Sequence, residues 1–142
     1  MKINKKIKVA HICFSDNRGG ASIAANRLNI ALNKHGLISK LFVIDKHNPN
    51  STKLNNSILE KLFYFFCRLV EIFLRRTVYG KSKTIHSFNF FSTNVRKKIS
   101  EFNPDVLHLH YIASNTISLT EINKIDLPIV WTLHDLWPIL PT

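Results

Sequence analysis

Acidic residues are scarce in this chain: 9 Asp and Glu stand against 20 Lys and Arg in 142 residues, a net charge of +11. That balance favours anionic partners, whether nucleic acid, an anionic membrane surface or a phosphorylated substrate. The basic residues are spread over Lys2 to Lys8, Arg75 to Lys83 and Arg96 to Lys98 without the basic and aromatic interleaving of a nucleic-acid module, so nucleic acid is not expected. Cysteine is nearly absent. Cys13 and Cys67 each lie inside an apolar run, which predicts reduced core thiols and a cytosolic compartment. Glycine amounts to four residues, and nowhere do they form the three-glycine dinucleotide fingerprint or precede the Lys-Ser/Thr ending of a P-loop. NAD or ATP binding of those two kinds is disfavoured. No uncharged run reaches the roughly 20 predominantly apolar residues of a membrane span. The most hydrophobic stretch, 58–78, is broken by Glu60, Lys61, Arg68, Glu71, Arg75 and Arg76. The first 14 residues place basic residues ahead of an apolar stretch, but Lys8 and His11 interrupt it and no small-residue cleavage pattern follows, which argues against a signal peptide. Internal repeats and low-complexity segments are also missing.

What is present fits one domain, with 45% hydrophobic residues to supply a core. The periodicity predicts a strand over 8–14, a polar turn over 15–20, a helix over 21–35 closed by Gly36, and a second strand over 39–45. These make a right-handed βαβ unit. A polar loop over 46–56 leads to helices over 58–78 and 93–102, a third strand over 105–110, a short helix over 119–125 and a fourth strand over 129–133. The expected fold class is α/β, a Rossmann-like, mostly parallel sheet flanked by helices. Residues 129–133 carry no charge and three of the five are β-branched, so this strand is expected to be buried on both faces.

The 58–78 helix is amphipathic. Its polar positions 61, 64, 68, 71 and 75 leave a broad face of Leu62, Phe63, Phe66, Leu69, Val70, Phe73 and Leu74. The favoured reading packs that face on the sheet; a second has it touch a membrane surface, helped by Arg75, Arg76, Lys81 and Lys83.

Three groups could carry chemistry. Gly19-Gly20 lies between the first strand and the first helix, where free N–H groups and the helix dipole suit a phosphate; a tight turn without a ligand explains it equally well. His108 and His110 are two apart on a strand and share a face. With His134 and Asp135 nearby they raise a metal-dependent hydrolase, but no further ligand cluster is evident, so no metal is expected and His108 reads as a bonded core histidine. His134-Asp135 falls at the carboxyl end of a parallel strand, where open α/β sheets bind ligands.

The Gly-Gly turn of Ser15 to Ser22, His86-Ser87-Phe88-Asn89, the stretch Pro104 to Tyr111 and Pro128 to Pro138 together resemble the N-terminal half of retaining nucleotide-sugar glycosyltransferases. The resemblance runs to the bacterial capsular, O-antigen or colanic-acid-like group. Trp131-Thr132-Leu133-His134-Asp135-Leu136-Trp137 is its most specific part. The resemblance implies the GT-B fold, in which residues 1–142 are the acceptor-side domain and a second domain holds the donor. It implies that Gly19 and Gly20 approach the donor diphosphate, that His134 lies beside the reacting sugar with Asp135, and that His110, Tyr111 and Trp137 line the acceptor side. The substrates would be a nucleotide-diphosphate sugar and a saccharide or lipid-linked acceptor, with no other cofactor; the expected location is the cytoplasm or the inner face of the cytoplasmic membrane. The donor domain is expected to be missing from this chain, with a separate donor-domain chain as a candidate partner, leaving these 142 residues inactive alone. A basic binding module at a membrane or partner surface is the alternative from another class.

Overall fold

Val9, Ala10, Ile12 and Cys13 are all buried, and they make the first strand the centre of the sheet. The computed structural model describes residues 5–80, 87–91 and 95–134. In chain order the elements are β1 (Lys8–Ser15), α1 (Gly19–Lys34), β2 (Ile38–Asp45), β3 (Thr52–Lys53), α2 (Ile58–Tyr79), α3 (Val95–Phe102), β4 (Val106–Leu109), α4 (Leu119–Ile122) and β5 (Ile129–Trp131). All neighbouring strands pair in parallel, in the order β3-β2-β1-β4-β5. The α/β, Rossmann-like expectation is met.

Side-chain alternation divides the core in two. On one face Ala10, Ile12, Phe42, Ile44, Leu107 and Leu109 pack with Val95 and Ile99 of α3 and with the half-buried Tyr64 of α2 and Ile122 of α4. On the other, Cys13, Leu41 and Val43 pack on Ala25 of α1. Both cysteines are free and buried, as expected, and burial pushes the Cys13 thiol up. The end of α1 is also as expected: Gly36, at φ +85°, lets its N–H reach Asn33 O and that of Leu37 reach Leu32 O, both at 3.1 Å.

Four expectations need correction or qualification. The 46–56 loop contains β3, whose two residues pair with Phe42 and Val43; a strand so short leaves no periodicity to detect. The last strand is not buried on both faces. Ile129 is 38% and Val130 50% exposed, because β5 has β4 as its only strand neighbour among the described residues and α1 covers the β1–β2 side of that face. The helix expected over 93–102 is described from Val95; residues 92–94 lie outside the described residues. The largest correction concerns α2, whose apolar face is turned outward rather than onto the sheet. Leu62, Phe63, Phe66, Leu69 and Phe73 of the expected packing face are exposed, as are Ile58, Leu59, Phe65, Ile72 and Val78, while Val70 and Leu74 are half-buried.

The reason is a polar anchor on the inward side. Glu71, only 4% exposed, accepts bonds from Arg68 Nη1 (2.7 Å), Ser87 Oγ (2.6 Å), Phe88 N–H (3.2 Å) and Asn115 Nδ2 (2.9 Å). Tyr64 donates its hydroxyl to Ser114 O at 3.0 Å, and burial raises that phenol to about 12, so it stays a donor. Polar positions 64, 68 and 71 therefore face the body of the domain. The start of the helix is closed by a capping box, in which Glu60 N–H donates to Ser57 Oγ (3.1 Å) and Ser57 N–H to Glu60 Oε2 (3.0 Å). Ser57→Ala is expected to cost about 1 kcal/mol in urea denaturation, the usual loss of an N-cap. No helix among the described residues is long and apolar enough to cross a membrane.

Candidate functional site

The strand order reverses direction between β1 and β4, and in open parallel sheets the crevice beyond the carboxyl ends at such a point is where ligands bind. Backbone bonds continue past the strands here. His110 N–H donates to Ile12 O (3.0 Å), Phe14 N–H to Tyr111 O (2.8 Å) and Thr132 N–H to Leu109 O (2.9 Å), which hold the ends of β1, β4 and β5 in register.

Four histidines line this edge on the α1 side. His11 pairs with His108 in the β1–β4 register, and strand alternation puts His110 on the same face. The His108 and His110 rings stack with centroids 4.1 Å apart; His11 lies 5.1 Å from His108 and 5.3 Å from His110, and His134 lies 5.5 Å from His110. Three of them are joined nitrogen to nitrogen: His11 Nδ1 to His110 Nε2 at 3.1 Å, and His110 Nδ1 to His134 Nε2 at 3.2 Å. His108 Nε2 meets Thr132 Oγ1 at 2.7 Å. Burial first, and His108 second, push His11 down to about 4. Burial, then the neighbouring His108, His11 and His134, push His110 down to about 3, and burial with His134 lowers His108. The inner rings are therefore neutral at physiological pH.

A neutral His110 can donate through one ring nitrogen only and must accept through the other. Its tautomer thus couples the two contacts. A proton on His11 Nδ1 makes His110 a donor to His134 Nε2, and a proton on His134 Nε2 makes His110 a donor to His11. The exposed His134 is consequently oriented from within the core.

Gly19 and Gly20 open α1 at the same carboxyl edge, just past β1. Gly19 needs its φ of +81°, a left-handed conformation that strains any side chain, while its Cβ position is open. No acidic residue occupies the first turn of α1, and Arg18 at the N-cap makes no side-chain cap, so the N–H groups of that turn are left for an anion. The preceding Asp16 is buried and fixes the turn. Its carboxylate accepts from His47 N–H (2.9 Å), Asn48 N–H (3.0 Å) and Ser51 Oγ, and Arg18 Nε pairs with Asp45 at 3.1 Å.

Of the residues singled out in the sequence, Gly19, Gly20, His110, Tyr111 and His134 all fall on this edge, and His110 and His134 are in direct contact. Asp135 and Trp137 lie outside the described residues, as do Lys81, Lys83 and His86. His108 and His110 do share a face, but His108 is half-buried and bonded to Thr132 rather than a core histidine. The core histidine is His11, fully buried, which sequence reasoning passed over because it sits inside the apolar run of β1. The remaining residues of the Ser87-Phe88-Asn89 motif act structurally: Asn89 Nδ2 donates to Ile112 O (2.8 Å) and its Oδ1 accepts from Asn115 N–H (2.9 Å), tying this segment to the loop after β4. A separate cleft, between α3 and the α4–β5 connection, is lined by Arg96, Asn103, Lys124 and Leu127 at the opposite, amino-terminal edge of the sheet, away from these groups.

The family model for Glycosyltransferase Family 4 matches residues 18–142, a span that contains the Gly-Gly turn, β4 and the His134 segment. No curated protein and no solved structure gives a significant match.

Proposed function

The chain belongs to glycosyltransferase family 4, and from that premise we propose that it serves the transfer of a sugar from a nucleotide-diphosphate donor to a saccharide or lipid-linked acceptor, with retention of anomeric configuration, in cell-surface polysaccharide synthesis. Membership implies a sugar donor and a sugar acceptor. The observation that carries the assignment of roles is that the Gly19-Gly20 turn and the His110–His134 pair stand on one carboxyl edge, around the β1/β4 switch point.

In this reading the N–H groups at the start of α1 approach the donor diphosphate, where partial positive charge and an uncapped first turn favour an anion. His134 orients donor and acceptor hydroxyls and stabilises charge as the glycosidic bond to the diphosphate breaks. Asp135 supports it, and His110, Tyr111 and Trp137 line the acceptor side. A pair of protein carboxylates of the glycosidase kind is not required. The test is a titration of the isotopically labelled chain with UDP, GDP and dTDP, and then with oligosaccharide acceptors, followed by amide and imidazole NMR shifts. Diphosphates should move the amides of Gly19 and Gly20, and acceptors the signals of His110, Tyr111 and His134. Shifts confined to other regions, or none at millimolar ligand, would refute these roles.

The finer reading of location is a peripheral one, at the cytoplasmic face of the membrane that carries a lipid-linked acceptor. Support comes from the outward apolar face of α2 and the exposed Lys61, Arg75 and Arg76 on the same helix. That combination describes a helix lying in a bilayer interface.

A further inference from the structure

We propose that His11, His108 and His110 form a binding site for a divalent first-row transition metal ion, with Zn2+ as the reference ligand. The site shares His110 with the acceptor side of the preceding reading, which does not require an ion, so that failure of the site would leave that reading standing. Sequence alone brings together His108, His110, His134 and Asp135 with no further ligand cluster, which is why no metal is expected from it. The fold adds His11 from the neighbouring strand.

Each of the three residues offers a ring nitrogen, and these nitrogens all lie within 4.8 Å of one another. Tetrahedral zinc at a Zn–N distance of about 2.0–2.1 Å requires its nitrogens to be about 3.4 Å apart. His11 Nδ1 and His110 Nε2, at 3.1 Å, are already near that spacing. The half-buried His108 would have to shift to close the rest. The ligand set is all imidazole, which suits Zn2+, Ni2+, Cu2+ or Co2+ and not the oxygen-seeking Mg2+ or Ca2+. Three protein ligands leave a fourth position for a water or another small ligand.

One further observation points to a ligand. Metal-bound histidines generally commit their second nitrogen to an outer partner that fixes the ring. His110 does so through Nδ1 to His134, and His108 through Nε2 to Thr132 Oγ1, which leaves His108 Nδ1 for the ion, and His110 Nε2 once the ion replaces its hydrogen bond to His11 Nδ1. The third ring differs: His11 would ligate through Nδ1, and its Nε2 is buried without an outer partner, so only packing holds that ring. Burial keeps the rings neutral, the form a metal requires.

The experiment uses the tag-free chain, stripped with chelator and titrated with Zn2+ by calorimetry and with Co2+ by visible absorption. The expected result is one equivalent bound, with the intense d–d bands of a tetrahedral cobalt site. His108→Ala, on a half-buried position, should weaken binding by about 100-fold or more, beyond the 10–100-fold typical of losing an outer partner, while Thr132→Ala should fall within that range. His35→Ala, at the exposed end of α1, is the control and should change nothing. Circular dichroism establishes that each variant is folded. Absence of one-equivalent binding by the parent chain, or equal affinity in His108→Ala and the parent, overturns the site.

Discussion

Glu71→Leu should lower the unfolding free energy by about 3 kcal/mol, the lower end of what removing one partner of a buried ion pair costs. The carboxylate is 4% exposed and gathers four donors from three segments: Arg68 in its own helix, Ser87 and Phe88 in the following segment, and Asn115 in the loop after β4. Arg68 keeps a third of its side chain in water and can relax outward, so its charge is not the main loss. The loss comes from the other three donors, which give up this acceptor in the interior at a cost of about 1 kcal/mol or more each. Glu71→Gln keeps one oxygen and should lose roughly half as much. Urea denaturation monitored by circular dichroism measures both. Equal stability of Glu71→Leu and the parent would refute the anchor. The same substitution should also free the 87–91 segment, with faster amide exchange at Ser114 and Asn115, whose N–H groups bond to Ser87 Oγ and Asn89 Oδ1.

That anchor explains what the sequence could and could not reveal. Parallel strands, the βαβ unit and the Gly36 cap were legible because each rests on local pattern: apolar runs in β1 and β2, helical spacing in α1 and a glycine at a left-handed position. The same spacing shows that α2 has two faces, but not which of them meets the sheet. The default puts the apolar face inside, and here a buried carboxylate with four donors outweighs it. Those donors come from residues 16 to 44 positions away, except Arg68, and no window along the chain contains them. β5 was misjudged for a related reason. Its composition is that of an interior strand, while its exposure depends on its place at the edge of the sheet.

The site was half legible on the same grounds. His108 and His110 share a face by alternation within one strand, and His134 stands out at a strand end. His11 lies 99 residues from the His110 it touches and is surrounded in sequence by apolar residues. Only the β1–β4 register, with His11 opposite His108, brings it to the cluster. An ionisable residue within an apolar strand run next to the switch point of a parallel sheet was the available signal.

The outward face of α2 leads to the second large effect. Vesicles of phosphatidylglycerol should carry the chain in flotation, and vesicles of phosphatidylcholine should not. A soluble monomer rarely leaves an apolar patch of this size in water, and here Leu62, Phe66, Leu69 and Phe73 form one side of a helix of 22 residues. A fully buried Leu or Phe side chain is worth about 1.5–3 kcal/mol, and partial insertion about half of that. Leu62→Ser, Phe66→Ser and Phe73→Ser together should therefore weaken binding by about 3–4 kcal/mol, or several hundredfold. Lys61, Arg75 and Arg76 add about 1 kcal/mol each near an anionic surface. Changing all three to Gln should cost on the order of a hundredfold and remove most of the salt dependence, since exposed charges are screened over about 10 Å at 0.1 M salt. The triple Ser variant should stay folded, because the inward stripe of Tyr64 and Glu71 is untouched. Equal flotation of this variant and the parent, or no flotation of the parent on anionic vesicles, would refute membrane docking. Self-association of the parent in sedimentation, abolished by the same three changes and unaffected by lipid, would assign the face to a second copy of the chain instead. The basic residues favour the bilayer over that copy. Two copies meeting through this helix would bring the exposed Lys61, Arg75 and Arg76 of each near the other and repel, whereas an anionic surface attracts them.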